Sequence, residues 1–175
     1  MISLYSGTPG SGKSLHLART VRDSLKFNCP VIGTFHINNE MLWKNSPYPY
    51  TYINIYDLTP RFLLDYYENN KRYIKRGVEN SFLVCIDECQ RIFNSRTWQE
   101  TKNRNEWITF FAEHRHFGFN ISLVSQMDIM IDMRITDYIN PIFGRAFWIN
   151  NSCEVSSPTL SACIFHVLQK EKEYL

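Results

Sequence analysis

This chain carries almost no net charge. Nineteen basic residues face seventeen acidic ones, leaving +2 over 175 residues. That balance excludes a global field for polyanions, so any hold on nucleic acid or an anionic membrane must come from a local cluster. Long apolar runs are also missing. No uncharged apolar stretch reaches the roughly 18 residues a bilayer requires, so no membrane span is expected. Met1 leads directly into strand-like residues, so no signal peptide is expected either. Cysteine is sparse and odd in number: Cys29, Cys85, Cys89, Cys153 and Cys163. Without a CxxC pair, a disulfide framework or a zinc site is disfavoured. Cys85 and Cys89 flank Asp87 and read as small buried hydrophobes in a reducing compartment. No internal repeat or low-complexity tract interrupts the chain. The remaining composition, 44% hydrophobic and 21% charged, fits one soluble globular domain over residues 1–175 with a full core. Aromatic residues make up 15%, which points to aromatic packing or an oligomer surface.

Glycine is scarce too, yet three of the seven fall within GTPGSGKS, Gly7 to Ser14. This fits G-x-x-x-x-G-K-[ST], the phosphate-binding P-loop. It follows a short strand-like run, Ile2 to Ser6, and opens a helix at Lys13, where a P-loop has to sit. Gly7, Gly10 and Gly12 let the backbone turn tightly around an anion. Gly7, Thr8, Pro9, Gly10, Ser11 and Gly12, on to Leu15, would line the phosphates, faced by the backbone N–H groups of the loop (Pro9 has none) and by the positive helix end. Lys13 would reach the β- and γ-phosphates of ATP, and the Ser14 hydroxyl would hold Mg2+.

The rest of the chain alternates strands and helices. A helix is expected over Lys13 to about Lys26, with Leu17, Ala18, Val21 and Leu25 on one face. Pro30 precedes a strand at Val31 to Phe35, and His36 to Tyr50 reads as a loop. Tyr52 to Tyr56 is expected as an added edge strand. Thr59-Pro60 marks a helix start, Thr59 as N-cap and Pro60 in the first position; that helix carries Leu63, Tyr67 and Ile74 and stops at Gly77. Phe82 to Ile86 is continuously apolar, as for a strand buried on both faces. Asn94 to Asn105 reads as a loop and Glu106 to His116 as a helix with Trp107, Ile108, Phe111 and Ala112 inward. A buried strand follows at Ile121 to Ser125, then a short helix within Ile129 to Tyr138. Phe143 to Ile149 and Ala162 to Leu168 read as further strands, forming an antiparallel hairpin at one edge. The fold class is α/β: a three-layer P-loop sandwich around a mainly parallel sheet. Its core order is expected as 5-1-4-3-2, with the P-loop strand central and an added strand between the two nucleotide motifs.

FLVCIDE, Phe82 to Glu88, is the second motif. An apolar strand ending in Asp-Glu suits ATP hydrolysis: Asp87 would bind Mg2+ through its water shell, and Glu88 could activate the attacking water as a general base. An ordinary acidic turn is the plain alternative, but the pairing with the P-loop in this order favours the catalytic one. Glu88 also favours a hydrolase over a small-molecule kinase. Gln126 follows the strand that should lie between the P-loop strand and the Asp-Glu strand. It would point at the γ-phosphate or lytic water, or else be a solvated amide. His114-Arg115-His116 ends the helix after the Asp-Glu strand. H-x-H can bind metal, but no other ligand cluster is near in sequence. A helix of this length runs roughly 16 Å away from the active edge. Arg115 would then serve a neighbouring subunit's ATP as an arginine finger, or cap the negative helix end; Arg145 is the second finger candidate. The loop Arg91 to Arg104 places Arg91, Arg96, Lys102 and Arg104 around Trp98, a pattern suited to single-stranded nucleic acid or to a plain solvated loop. Trp43, Tyr48, Tyr50 and Tyr52 suit a subunit contact or edge packing.

GTPGSGKS, IDECQRIF and above all AEHRHFGFNISLVSQ together resemble the N-terminal ATPase domain of the zonula occludens toxin family, which includes the gene I assembly proteins of filamentous phages. The resemblance runs from Met1 to about Trp148. It implies a P-loop fold with an added strand, akin to DNA-pumping motors. It implies ATP-driven extrusion of single-stranded phage DNA during virion assembly at the inner membrane, in a homo-oligomer working with phage coat or assembly proteins. By that resemblance Lys13 and Ser14 (Walker A), Asp87 and Glu88 (Walker B) and Gln126 form the nucleotide site. Family members usually continue into a membrane-spanning helix, whereas this sequence ends at Leu175. Membrane attachment would come through a segment absent from it, with the domain itself on the cytoplasmic side. The toxin activity in the family name is not carried over. A cytosolic DNA-translocating or packaging ATPase of the same fold, and a nucleotide-binding module without turnover, are the alternatives.

Overall fold

Phe82–Ile86 has no polar residue at any position, and in the computed structural model all five residues are buried. Such a strand needs cover on both faces, and the topology supplies it. The structure describes residues 1–37, 47, 48, 50–71, 81–138 and 146–148. Along the chain run β1 (Ile2–Ser6), α1 (Lys13–Lys26), β2 (Val31–Gly33), β3 (Tyr50–Tyr52), α2 (Pro60–Asn70), β4 (Phe82–Ile86), α3 (Arg104–Glu113), β5 (Phe119–Ser125), α4 (Met133–Thr136) and β6 (Ala146–Trp148). The strands form one sheet in the order β3-β2-β4-β5-β1-β6, and the pairings between these strands are all parallel.

The five core strands take the expected order, with β6, β1, β5, β4 and β2 standing for 5-1-4-3-2. The added strand lies outside β2 at the edge. It is Tyr50–Tyr52 rather than Tyr52 to Tyr56. Ile53 donates its N–H to Gly33 O at 3.0 Å, and beyond it the chain closes a turn, so pairing ends there. β6 joins β1 in parallel. Its expected antiparallel partner, Ala162 to Leu168, lies outside the described residues, as do Asn150 to Ser161, Ile74, Gly77 and Trp43.

Alternation along β4 divides the core. Leu83 and Cys85 face α1, packing with Leu17, Val21, Leu25, Val31 and Val124. Phe82, Val84 and Ile86 face the other way, into a larger cluster with Leu63, Phe93, Trp98, Trp107, Phe110 and Phe111. Aromatic rings dominate that side. Phe93 meets Trp107 edge-on at 5.0 Å and Trp98 at 5.5 Å, and Phe82 stacks on Phe119 at 4.9 Å. The high aromatic content is thus spent largely on packing, where each such pair adds roughly 0.5–1.5 kcal/mol beyond its buried area. α3 differs from its expected bounds. It starts at Arg104 and ends at Glu113, burying Trp107, Phe110 and Phe111, while Ala112 is exposed. Phe110, rather than Ala112, packs inward, against Phe119 (ring centroids 5.4 Å apart). β5 begins two residues early, because Phe119 pairs with Phe82. The short helix expected within Ile129 to Tyr138 is a 3-10 turn at Asp128–Met130 followed by the single turn of α4.

Helix ends follow local chemistry. The Thr59 side chain accepts the Phe62 N–H at 3.2 Å, with Pro60 in the first turn of α2. At the end of α1, Asn28 takes φ 56. Asn28 N–H donates to Leu25 O at 3.1 Å and Cys29 N–H to Ser24 O at 3.0 Å, a Schellman closure. Asparagine tolerates this left-handed position; glycine does so at no steric cost. Asn28→Gly should therefore raise stability by about 0.5 kcal/mol and Asn28→Ala lower it by about 1 kcal/mol. Urea unfolding midpoints at a constant slope would check both, and an Ala variant as stable as wild type would contradict the assignment.

Candidate functional site

After Ser6 the backbone turns through Gly7–Gly12 into α1. Gly10 and Gly12 take φ 80 and 87, and Gly12 is the helix N-cap. A side chain at either would be held in left-handed backbone at a cost of roughly 1–2 kcal/mol. Ser11 N–H closes the turn on Thr8 O at 3.2 Å, and His16 N–H donates to Gly12 O at 2.9 Å. Thr8, Pro9, Gly10, Gly12, Ser14 and Leu15 are exposed, whereas Gly7, Ser11 and Lys13 are buried. The result is an open backbone rim around a buried cation.

The Lys13 ammonium donates to Gly7 O at 2.5 Å, Thr8 O at 2.8 Å and Ser11 Oγ at 3.3 Å. All three acceptors are neutral. Among the described residues no carboxylate forms an ion pair with it. A buried positive charge at the positive end of a helix is unfavourable unless an anion balances it. The first-turn N–H groups also lack intrahelical acceptors. Both facts suit a phosphate.

Across the sheet, the chain emerges from β4 at Asp87. The Ser14 hydroxyl donates to Asp87 Oδ2 at 3.0 Å. Asp87 is held from two more sides: its N–H donates to Thr34 Oγ1 at 2.9 Å, and its Oδ1 accepts from Glu88 N–H at 2.9 Å. A hydroxyl and a carboxylate in contact at an exposed rim are hard oxygen donors, fitted to Mg2+. Glu88 itself is left-handed, φ 49, and opens a 3-10 turn, Cys89–Arg91. Its carboxylate forms an ion pair with Arg91.

Gln126 follows β5, whose Ser125 pairs with Ser6. It is half-buried and starts level with Gly7. Ser125 Oγ donates to Met127 O at 2.7 Å, bending the chain around it. Lys13, Ser14, Asp87, Glu88 and Gln126 therefore gather at the carboxyl ends of three adjacent strands, β1, β5 and β4. In parallel sheets this is where ligands bind. Arg115 does not join them. It is exposed in the turn before β5, where its carbonyl accepts from Gly118 N–H at 3.0 Å. That turn lies at the amino ends of the strands, since Phe119 pairs with the first residue of β4. Arg145 lies outside the described residues. His114 is buried, its Nδ1 2.6 Å from Phe111 O, so it belongs to the end of α3.

The loop after β4 corrects one expectation. Trp98 is fully buried against Phe93, so it cannot stack on a base; Arg96 and Lys102 remain exposed. Sequence reasoning missed Thr34, because its contact with Asp87 crosses between strands and leaves no local pattern. It also missed the Arg91–Glu88 pair, which the i,i+3 spacing could have signalled.

A mainly parallel sheet with a glycine-rich loop joining its first strand to a helix, and an acidic pair ending β4, is a P-loop NTPase fold. Two solved structures share this fold at TM-scores above 0.5. The genome packaging NTPase B204 from Sulfolobus turreted icosahedral virus 2, in complex with AMPPCP, is similar at a TM-score of 0.56 and 18% identity, over 78% of this chain and 70% of that one. The complex of B204 with ATP-gammaS is similar at 0.53 and 17%, over 78% and 71%. The N-terminal domain of zonular occludens toxin from Neisseria meningitidis has 24% identity over 77% of this chain and 71% of that one, with a TM-score of 0.48. Among curated protein sequences none matches. The family described as Zonular occludens toxin (Zot) matches residues 1–140, and the chain belongs to that family. No helix among the described residues is long and apolar enough to cross a membrane.

Burial pushes the Cys29 thiol up to about 12 and raises Cys85 and Cys89 as well. The thiolate is the reactive form. Iodoacetamide at pH 8 should therefore leave Cys29, Cys85 and Cys89 unlabelled in the folded protein and label all three in urea. Peptide mass spectrometry would read this. Rapid native labelling of Cys85 or Cys89 would overturn the assignment of these two as inert core residues beside Asp87.

Proposed function

We propose that this chain is an ATP-binding and ATP-hydrolysing motor domain that drives filamentous phage assembly and extrusion of phage DNA at the cytoplasmic face of the inner membrane. The observation that carries the nucleotide part is the Ser14–Asp87 hydrogen bond, which joins the P-loop helix to the end of β4 with Lys13 on one side and Glu88 on the other. Membership of the Zot family supports the biological setting. The packaging NTPase named among the similar structures supports the motor class.

In this reading Lys13 exchanges its carbonyl partners for the β- and γ-phosphate oxygens of ATP. The rim Gly7, Thr8, Pro9, Gly10, Ser11 and Gly12, continuing through Ser14 and Leu15, wraps the phosphates, with backbone N–H groups offered by its residues other than Pro9. Ser14 and Asp87 would hold Mg2+, which would supply neutralisation of phosphate charge. Glu88 accepts the proton of the attacking water as general base. Gln126 orients that water or the γ-phosphate. Arg115 lies at the amino ends of the strands, away from its own P-loop, where it would serve the site of a neighbouring copy in a homo-oligomer or else cap the negative end of α3. Coat or assembly proteins and single-stranded DNA are the partners this role requires. A second reading, a cytosolic DNA-packaging ATPase, is favoured by the likeness to B204. Turnover stimulated by DNA alone would select it over a motor that answers to coat or membrane partners.

Lys13→Ala should weaken ATP binding about 10- to 100-fold, because it removes the charged partner of the phosphates. Glu88→Gln should bind ATP normally and lose roughly 10²–10⁴ in kcat. Equilibrium titration with labelled ATP and phosphate release on both variants test this; wild-type turnover by Glu88→Gln would remove Glu88 from the mechanism.

Arg115→Ala should bind ATP and lose on the order of 10³ or more in rate, as arginine fingers do elsewhere. Mixed with Lys13→Ala it should regain part of the activity, since an intact P-loop can then face an intact arginine. A fully active pure Arg115→Ala protein would rule out an essential finger.

A further inference from the structure

Glu88 is fixed through its backbone on both sides. Its N–H is given to Asp87 Oδ1 at 2.9 Å, and its carbonyl accepts Arg91 N–H at 2.9 Å. Its φ of 49 sets it in left-handed backbone, and the following residue, Cys89, is fully buried. Only the side-chain torsions stay free, and these are taken up by the ion pair with Arg91. The turn closes without that pair, through the Arg91 N–H to Glu88 carbonyl bond. The guanidinium therefore adds nothing the backbone needs. What it does is occupy Oε2 of the carboxylate, one of the two oxygens that could accept a proton from water.

We propose that Arg91 is a restraining residue for Glu88. It holds the carboxylate in the 3-10 turn and keeps basal ATP turnover low until the pair opens. This rests on the reading of Glu88 as the general base. Arg91 has the properties of a latch rather than a structural strut. Its side chain is 53% exposed and that of Glu88 38%. A half-exposed pair is worth a factor of at most about five in an equilibrium, so it can open on the time scale of turnover. Arg91 also begins a loop on which Arg96 and Lys102 are exposed. Phosphate groups drawn to that loop would compete with Glu88 for the guanidinium.

Arg91→Gln removes the charge and keeps a polar side chain of similar reach. It should raise basal kcat about two- to five-fold with KM for ATP unchanged, because Lys13 and the P-loop are untouched. Arg91→Lys keeps an ion pair and should stay near the wild-type rate. Arg91→Gln combined with Glu88→Gln should be as inactive as Glu88→Gln alone, which shows that the gain runs through the carboxylate. Thermal unfolding of each variant reports that the fold is intact. A kcat for Arg91→Gln at or below wild type, with ATP binding intact, would overturn the proposal. If instead Glu88→Gln alone turns over like wild type, the base assignment itself falls, and the two failures are told apart by that single variant.

Discussion

A buried ammonium with only neutral partners is the constraint on which the site depends. Lys13 is 9% exposed and lies in the first turn of α1, where the helix field opposes its charge. Three oxygens solvate it, but none balances it. A protein that keeps such a residue carries a standing bias toward polyanions at that one point, despite a net charge near zero. The glycine turns that hold the oxygens around it have the same purpose: a left-handed Gly12 at the N-cap points the helix start at the space the anion takes.

The rest of the fold brings oxygen ligands to that charge. The sheet order sets β5 between β1 and β4, and parallel pairing puts all three carboxyl ends on one edge. Ser14 and Asp87 are far apart in sequence and hydrogen-bonded in space because α1 packs on the face of β4 that carries Leu83 and Cys85. Thr34 at the end of β2 then pins the Asp87 backbone. The position of one carboxylate is thus set by three separate elements. That is what a site needing sub-ångström precision requires.

Much of this was legible in the sequence because the signals were local or strictly periodic. GTPGSGKS could be read as a loop between a strand and a helix, and FLVCI as a doubly buried strand. Thr59-Pro60 announced its own helix start, and Asn-rich and Gly-rich breaks marked the remaining boundaries. The sheet order followed from the P-loop class rather than from any pairing signal in the residues. What was missed is non-local. Trp98 lies in a polar stretch, so only its contact with Phe93 reveals it as core. Phe110, not Ala112, lies on the inner face of α3 with Trp107 and Phe111, because the larger ring fills the space against Phe119. Thr34 and Asp87 meet across strands, where spacing carries no information.

Trp98 and Phe93 also have a mechanical meaning. The loop that leaves the acidic end of β4 is anchored by these rings in the same stack as Trp107 and Phe111 of α3. α3 in turn ends at the turn bearing Arg115. Close-packed interiors transmit strain instead of absorbing it. One continuous aromatic stack therefore spans the sheet from the acidic end of β4 to the helix that precedes the Arg115 turn, and truncating any ring in it leaves a void felt at both ends.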